Sequence, residues 1–372
     1  MTPTIPVNEP LLGEREVEYV MECLRTGWIS SAGHFIDEFE SRWAEYCGMR
    51  YGMAVSNGTA ALEVAIECLD LQSGDEVILP AFTIISCAQA VIYSGGVPVL
   101  VDSDPRIWTM DVSQIEDKIT PRTRAIMPVH IYGHPVDMGP VCVLAKKYNL
   151  RIIEDAAEAH GAEYRGEKCG GLGDISCFSF YANKIITTGE GGMLLTNSAQ
   201  YAEKARSLRN LCFRPERRFY HTELGRNYRL TNLQAAIGLA QIERIDELLA
   251  RKRKMAAAYN EGLRGVPRIT LPVEEPWASN VYWMYGIVLD QTVGFDAVEL
   301  AQRLRKKGVE TRPFFLPMHQ QPIFHKMGLF EDEIYPVAER LGRLGFYLPS
   351  GLALTETQIE YVCAVVKAEL NA

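Results

Sequence analysis

The chain has 372 residues, 47% of them hydrophobic and 23% charged, and a formal net charge of −9. That composition suits a soluble globular protein with one large unit and a smaller one, and it leaves no basic excess to neutralise nucleic-acid phosphates. No apolar run approaches a membrane span, the best stretch, "VIYSGGVPVLVDSD", being broken by glycine and proline.

The opening stretch "MTPTIPVNEPLLGEREVEYV" shows no basic-then-apolar leader pattern. Short β-branched runs then alternate with helical patterns: "YGMAVS" leads to "TAALEVAIECLDL", and "DEVILP" to "IISCAQAVIYSG". "VPVLVD", "SQIEDKIT" and "RAIMPVHIYG" follow in turn, and "GPVCVLAKKYNL" leads to "RIIEDAAEA". After them come "DISCFSFY", "GGMLLTN" and a helix from about Ser198 to Asn210. This alternation predicts an α/β fold built on a mainly parallel sheet covered on both faces. From about Arg251 a smaller α/β unit is expected, with a strand in "VYWMYGIVL" and helices in "DAVELAQRLRKKG" and "TETQIEYVCAVVKAEL". The expected division is 1–250 and 251–372. Nine cysteines are scattered with no C-x-x-C pair and no His/Cys cluster. No metal site or disulfide framework is expected, and a reducing cytoplasm is.

In such sheets ligands bind beyond the carboxyl ends of the strands, and three strand ends carry unusual residues. In "AVSNGTAAL", Gly58 and Thr59 open a helix whose free N–H groups favour an anion, although the same residues serve equally well as a turn and cap. In "RIIEDAAEAHG", Glu154 and Asp155 end an apolar strand and Glu158 follows. A carboxylate there needs a partner, and Asp155 is the better candidate for an inward role. In "SFYANKIITTGEGG", Ser179 and Lys184 follow the third run. A desolvated lysine can bond to an aldehyde. Together the three ends supply what pyridoxal 5'-phosphate (PLP) demands: a lysine for its aldehyde, an acid for its ring nitrogen and a helix N-terminus for its phosphate.

These stretches, with "TGWISSAGHFIDEFE", "GDEVILPAFT", "IMPVHIYG", "NYRLTNLQAAIGLAQIER" and "RPFFLPMH", resemble the DegT/DnrJ/EryC1/StrS sugar aminotransferases over nearly the whole chain. The resemblance implies the type I, aspartate aminotransferase-like PLP fold. It implies that Lys184 bonds the cofactor and shuttles protons, that Asp155 pairs with the ring nitrogen, and that Glu158 lies near the ring hydroxyl. Gly58, Thr59 and Ser179 would hold the phosphate, with Asn227 reaching it from a second subunit of a homodimer with shared active sites. An aromatic residue that stacks on the ring in many members is replaced here by Ile84, and Phe82 is a poor substitute for it.

For substrate, the resemblance points to members that aminate C4 of GDP-4-keto-6-deoxy-mannose with L-glutamate as donor, in deoxysugar pathways such as O-antigen synthesis. "CFRPERRFYHTELGRNYR" offers Arg217 and Arg218 for a pyrophosphate and Tyr220 for a base. Trp28 and Ser31 are expected to line the sugar pocket, and His319 to face the substrate. The alternatives are a dTDP- or UDP-linked keto-sugar aminated at C4 or C3, and a PLP-fold binding protein without catalysis. The presence of Lys184 and Asp155 opposes the latter.

Overall fold

The computed structural model describes residues 4–214 and 216–371. Residues 1–3 and 372, the outer ends of the two expected units, lie outside the described residues, as does Pro215 in the arginine-bearing loop.

Seven strands form the main sheet: β1 (Tyr51–Val55), β2 (Glu76–Pro80), β3 (Val97–Val101), β4 (Thr123–Ile126), β5 (Arg151–Asp155), β6 (Ile175–Ser179) and β7 (Gly192–Thr196). Their order across the sheet is β1-β7-β6-β5-β4-β2-β3. β2 is parallel to β3 and β4, β4 to β5, and β5 to β6; β7 alone runs antiparallel, against both β6 and β1. β2 and β7 are buried along their whole length, as a strand covered on two faces must be, and their continuous apolar runs reflect this.

The helices before the second unit are α1 (Glu14–Thr26), α2 (His34–Tyr46), α3 (Gly58–Glu67), α4 (Ser86–Tyr93), α5 (Met138–Tyr148), α6 (Ala199–Leu208), α7 (Asn232–Ile242) and α8 (Ile245–Leu263). Side chains fix several starts. Asn57 caps α3 by accepting from the Ala60 N–H at 2.8 Å, and Ser198 caps α6. Thr231 and Gln234 form a capping box at the start of α7. The segment "SQIEDKIT" forms two short 3-10 turns, Val112–Gln114 and Glu116–Lys118, rather than a helix. With Asp111 capping one end and Pro121 at the other, it is too short to propagate an α-helix.

A second, antiparallel sheet lies in the C-terminal part: β8 (Ile269–Thr270), β9 (Gly286–Leu289), β10 (Arg312–Pro313) and β11 (Gly345–Tyr347), in the order β8-β9-β11-β10. The run "VYWMYGIVL" yields strand only from Gly286, because Tyr282 adopts a left-handed backbone (φ 48°) that no strand accommodates. α8 runs unbroken across position 250. Residues 5–7 pair with the C-terminal part, where Ile5 bridges Val309 and Ser350 N–H donates to Val7 O. Among the described residues, no helix is long and apolar enough to cross a membrane.

Candidate active site

The carboxyl ends of β1, β5 and β6 open into one cavity of about 650 Å³. That volume is in the range of small-molecule and cofactor sites. Gly58, Thr59, Asp155, Glu158, Ser179 and Lys184 all line it.

Its anion end is the start of α3. Asn57 occupies the Ala60 N–H, so the N–H groups of Gly58 and Thr59 in the first turn have no acceptor within the helix. A Cβ at position 58 would stand 2.7 Å from the Ser179 Cβ, so only glycine lets these two segments meet. The Thr59 hydroxyl is 2.8 Å from that of Ser86, placing three hydroxyls near the helix start when Ser179 is counted. Free N–H groups, hydroxyls and a helix N-terminus suit a phosphate.

Asp155 lies beyond this cradle and is fully buried. Its Oδ1 accepts from the Ala157 N–H at 3.0 Å and its Oδ2 from the Cys87 thiol at 3.2 Å. Burial raises its carboxyl above the ordinary aspartate range, against those hydrogen bonds and the charge of Lys184. An acid in this state gains most from a cationic N–H brought within reach, and a protonated ring nitrogen is such a group.

Lys184 is the amine of the site. Its Nζ is 3.7 Å from Glu158 Oε1 and 3.4 Å from the centroid of the Trp283 ring. Burial lowers the amine below its ordinary value, while Glu158 and Asp155 oppose the shift. Burial likewise raises Glu158, whose Oε2 accepts from the Tyr132 N–H at 2.7 Å. The sequence around Lys184 is poor in acids, and the fold brings both carboxylates from β5 and the turn after it. An amine that is easily deprotonated, and close to groups that steady its charged form, can serve as both nucleophile and proton carrier. These residues fit PLP: the cradle matches its phosphate, Asp155 its ring nitrogen and Lys184 its aldehyde.

Glu154, next to Asp155, faces away and is structural. It accepts from His130 Nε2, Gly170 N–H, Leu172 N–H, Gly173 N–H and Ser176 Oγ. His130 Nδ1 accepts from the Val136 N–H, which makes Nε2 the donor to Glu154. Burial pushes the Glu154 carboxyl up, but the hydrogen bonds from His130, the Gly170 N–H and Ser176 bring it below its ordinary value. Cys169 lies within 4.8 Å of this pair, yet the carboxylate already has five donors, so the trio is a polar core rather than a metal centre. Replacing Glu154 by leucine would orphan those donors and is expected to cost about 3–5 kcal/mol, read by urea unfolding of the full chain.

The structure does not bring the expected substrate residues into this cavity. Trp28 and Ser31 are exposed beyond the Gly27 cap of α1. Arg217 lies over the Tyr220 ring at 4.9 Å, and Arg218 over the Phe213 ring at 4.8 Å, all on an exposed loop. Asn227 is exposed as well, whereas its neighbour Tyr228 lines the cavity; successive side chains of an extended segment point to opposite sides. His319 is buried, with Nε2 3.0 Å from Glu339 Oε1 and its ring against Tyr335, and it does not line the cavity.

Ile84 does line the cavity and offers it an aliphatic side chain. Phe82 is buried against Tyr132, Phe314 and Phe315 instead. Two residues of the cavity wall carried no separate signal in the sequence. Trp283 sits at the start of a run that reads as strand, and Arg312 opens "RPFFLPMH".

The DegT/DnrJ/EryC1/StrS aminotransferase family model matches residues 10–367. The GDP-perosamine synthase of Caulobacter vibrioides is 46% identical over 365 residues, covering 98% of each chain. That of Escherichia coli O157:H7 is 44% identical, covering 96% of each. Among solved structures, S. venezuelae DesV in complex with a ketimine intermediate superposes with a TM-score of 0.92 at 34% identity, covering 100% of each chain. The chain belongs to the DegT/DnrJ/EryC1/StrS aminotransferase family and has the type I fold of PLP-dependent aminotransferases.

Proposed function

We propose that this aminotransferase moves the amino group of L-glutamate to C4 of GDP-4-keto-6-deoxy-mannose, giving GDP-perosamine, with PLP held by the Gly58–Thr59–Ser179 cradle, Asp155 and Lys184. The observation that carries the reading is the buried Lys184 amine, 3.7 Å from Glu158, on the floor of a cavity that also holds Asp155 and the free start of α3. The choice of sugar rests on the two relatives named GDP-perosamine synthase.

When bound, PLP supplies an aldehyde that takes up an amine and a ring that accepts the electrons released when the neighbouring C–H bond breaks. The protein supplies position and proton transfer. Asp155 would keep a proton on the ring nitrogen and the α3 N-terminus would hold the phosphate, which would remove orientation entropy beforehand. Lys184 Nζ takes the proton from Cα of the donor in the first half-reaction and delivers one to C4 of the sugar in the second. Glu158 steadies the ammonium between these transfers.

Arg312 is the arginine of the cavity wall, and it has no carboxylate partner among the described residues. The α-carboxylate of glutamate is bonded to the reacting carbon, so its cation must stand near Lys184. The diphosphate of the sugar hangs from C1, across the ring from C4, and must be held farther out. Arg312 therefore suits the carboxylate, and Arg217 and Arg218 suit the diphosphate.

Those two arginines and Asn227 reach a site only across a dimer axis. α1 supports such an interface: Val17, Met21 and Leu24 form an exposed apolar stripe at helical spacing, Trp28 is exposed just beyond the helix end, and Phe219 and Leu224 are exposed on the arginine-bearing loop. We take 1–250 as the cofactor-binding unit and 251–372 as the smaller one, in a cytoplasmic enzyme. The test is mass spectrometry of products from L-glutamate and GDP-4-keto-6-deoxy-mannose, where a GDP-linked amino sugar is expected. In the same assay Arg312→Gln should raise KM for L-glutamate by about 10²-fold and leave KM for the keto-sugar little changed. An amino sugar formed only from dTDP- or UDP-linked substrates would contradict the reading.

A further inference from the structure

Trp283 presents its face to the one amine that does the chemistry. The centroid of its ring is 3.4 Å from Lys184 Nζ, while the nearest carboxylate oxygen, Glu158 Oε1, is at 3.7 Å. The indole is held from several sides. Its Nε1–H donates to Asn183 O at 2.8 Å, one residue before Lys184. The Trp283 carbonyl accepts from Lys252 Nζ at 2.7 Å, and the Tyr132 ring lies nearly parallel to the indole, with centroids 6.3 Å apart.

Lys252 is unusual in itself. It is buried on α8, has no carboxylate partner among the described residues, and gives its second bond to Ser350 O at 2.5 Å. Two carbonyls need two N–H donors, and a lysine amine supplies these whether charged or neutral. The anchor on Trp283 is therefore indifferent to the protonation of Lys252.

We infer that Trp283 is a positioning residue for Lys184: its anchored indole face holds the amine over the cavity floor and favours its ammonium whenever that amine is not bonded to the cofactor. The inference rests on the proposed role of Lys184. Burial disfavours any ammonium, and it also drives the neighbouring Glu158 towards its neutral form, which weakens the nearer of the two counter-charges, Asp155 being the other. An aromatic face has no proton to lose. It attracts a cation at every pH, and most strongly where water is excluded. Trp283 is 4% exposed, so this wall is dry.

The test uses the full chain without cofactor. Each sample is acylated with acetic anhydride across a pH series, and the modification of Lys184 is followed by peptide mass spectrometry. Trp283→Leu keeps an apolar side chain at the position but removes the π-face, and should lower the pH midpoint for Lys184 by about one unit, a tenfold change in its proton affinity. Trp283→Phe should restore most of the shift. Should Trp283→Leu not fold, fluorinated tryptophans of nearly unchanged shape, incorporated throughout the chain, should lower the midpoint stepwise with each fluorine. An unchanged midpoint would reduce Trp283 to a space filler, and a raised midpoint would reduce it to a water barrier; either overturns the inference. Adding PLP to the unaltered chain forms a separate arm. Failure of PLP to protect Lys184 would overturn the proposed function and leave the indole's effect on the free amine standing.

Discussion

Lys184→Ala is expected to lose about 10⁴-fold or more in kcat, the upper range for a general base, since the same side chain is also lost as nucleophile. The geometry gives no substitute. Lys184 is the only lysine of the cavity wall, and Glu158, the nearest titratable group, accepts from Tyr132 N–H through one oxygen and faces Lys184 with the other. Burial has already raised Glu158, which makes it a better base, but the Tyr132 N–H holds it away from Lys184's position and a carboxylate cannot bond to an aldehyde as an amine does, so it replaces neither role. Lys184→Arg separates charge from chemistry. It keeps a cation beside Glu158, but a guanidinium does not deprotonate, so it should be as inactive as alanine. Steady-state rates, with circular dichroism to verify the fold, decide this. Activity in either variant within about tenfold of the unaltered enzyme would remove Lys184 from the centre of the account.

Asp155→Asn is the second large effect, with an expected loss of about 10²–10³-fold in the rate of each half-reaction, comparable to deleting one preorganised electrostatic partner. The carboxylate works because it is buried, oriented by Ala157 N–H and the Cys87 thiol, and unpaired on the cavity side. An amide keeps the shape and loses the charge that holds a proton on the ring nitrogen. Both half-reactions should slow together, since both need the ring as an electron acceptor. Single-turnover rates with L-glutamate, and then with the keto-sugar, measure the two separately. Loss in only one would mean that Asp155 serves a substrate rather than the cofactor.

The parts of this site that sit on regular elements were legible in the sequence, and the parts set by tertiary packing were not. Gly58, Thr59, Asp155, Glu158, Ser179 and Lys184 each lie at or just past the end of an apolar strand, where chain order and the strand-end rule place ligands. They line one cavity. Asp155 was separable from Glu154 only as the better candidate; the structure gives the reason, since Glu154 is saturated by backbone and side-chain donors. Trp283 and Arg312 come from the far end of the chain and reach the site through the second sheet, a contact that local periodicity does not encode. His319 lies off the cavity wall for the same reason: a histidine in a loop motif looks available until Glu339 and Tyr335 are packed against it. The loop with Arg217, Arg218 and Tyr220 is exposed and lies outside the cavity of its own chain. The antiparallel placement of β7 was likewise invisible, because strand direction depends on connections rather than on composition.

The central claim is that Lys184 holds PLP and that L-glutamate discharges it. The visible absorbance of the purified full-length protein, recorded before and after L-glutamate is added, tests that claim most directly. The account predicts a visible band that disappears with L-glutamate, returns with GDP-4-keto-6-deoxy-mannose, and is missing in Lys184→Ala. A protein that shows no such band even with added PLP, or a band that L-glutamate leaves unchanged, would contradict it.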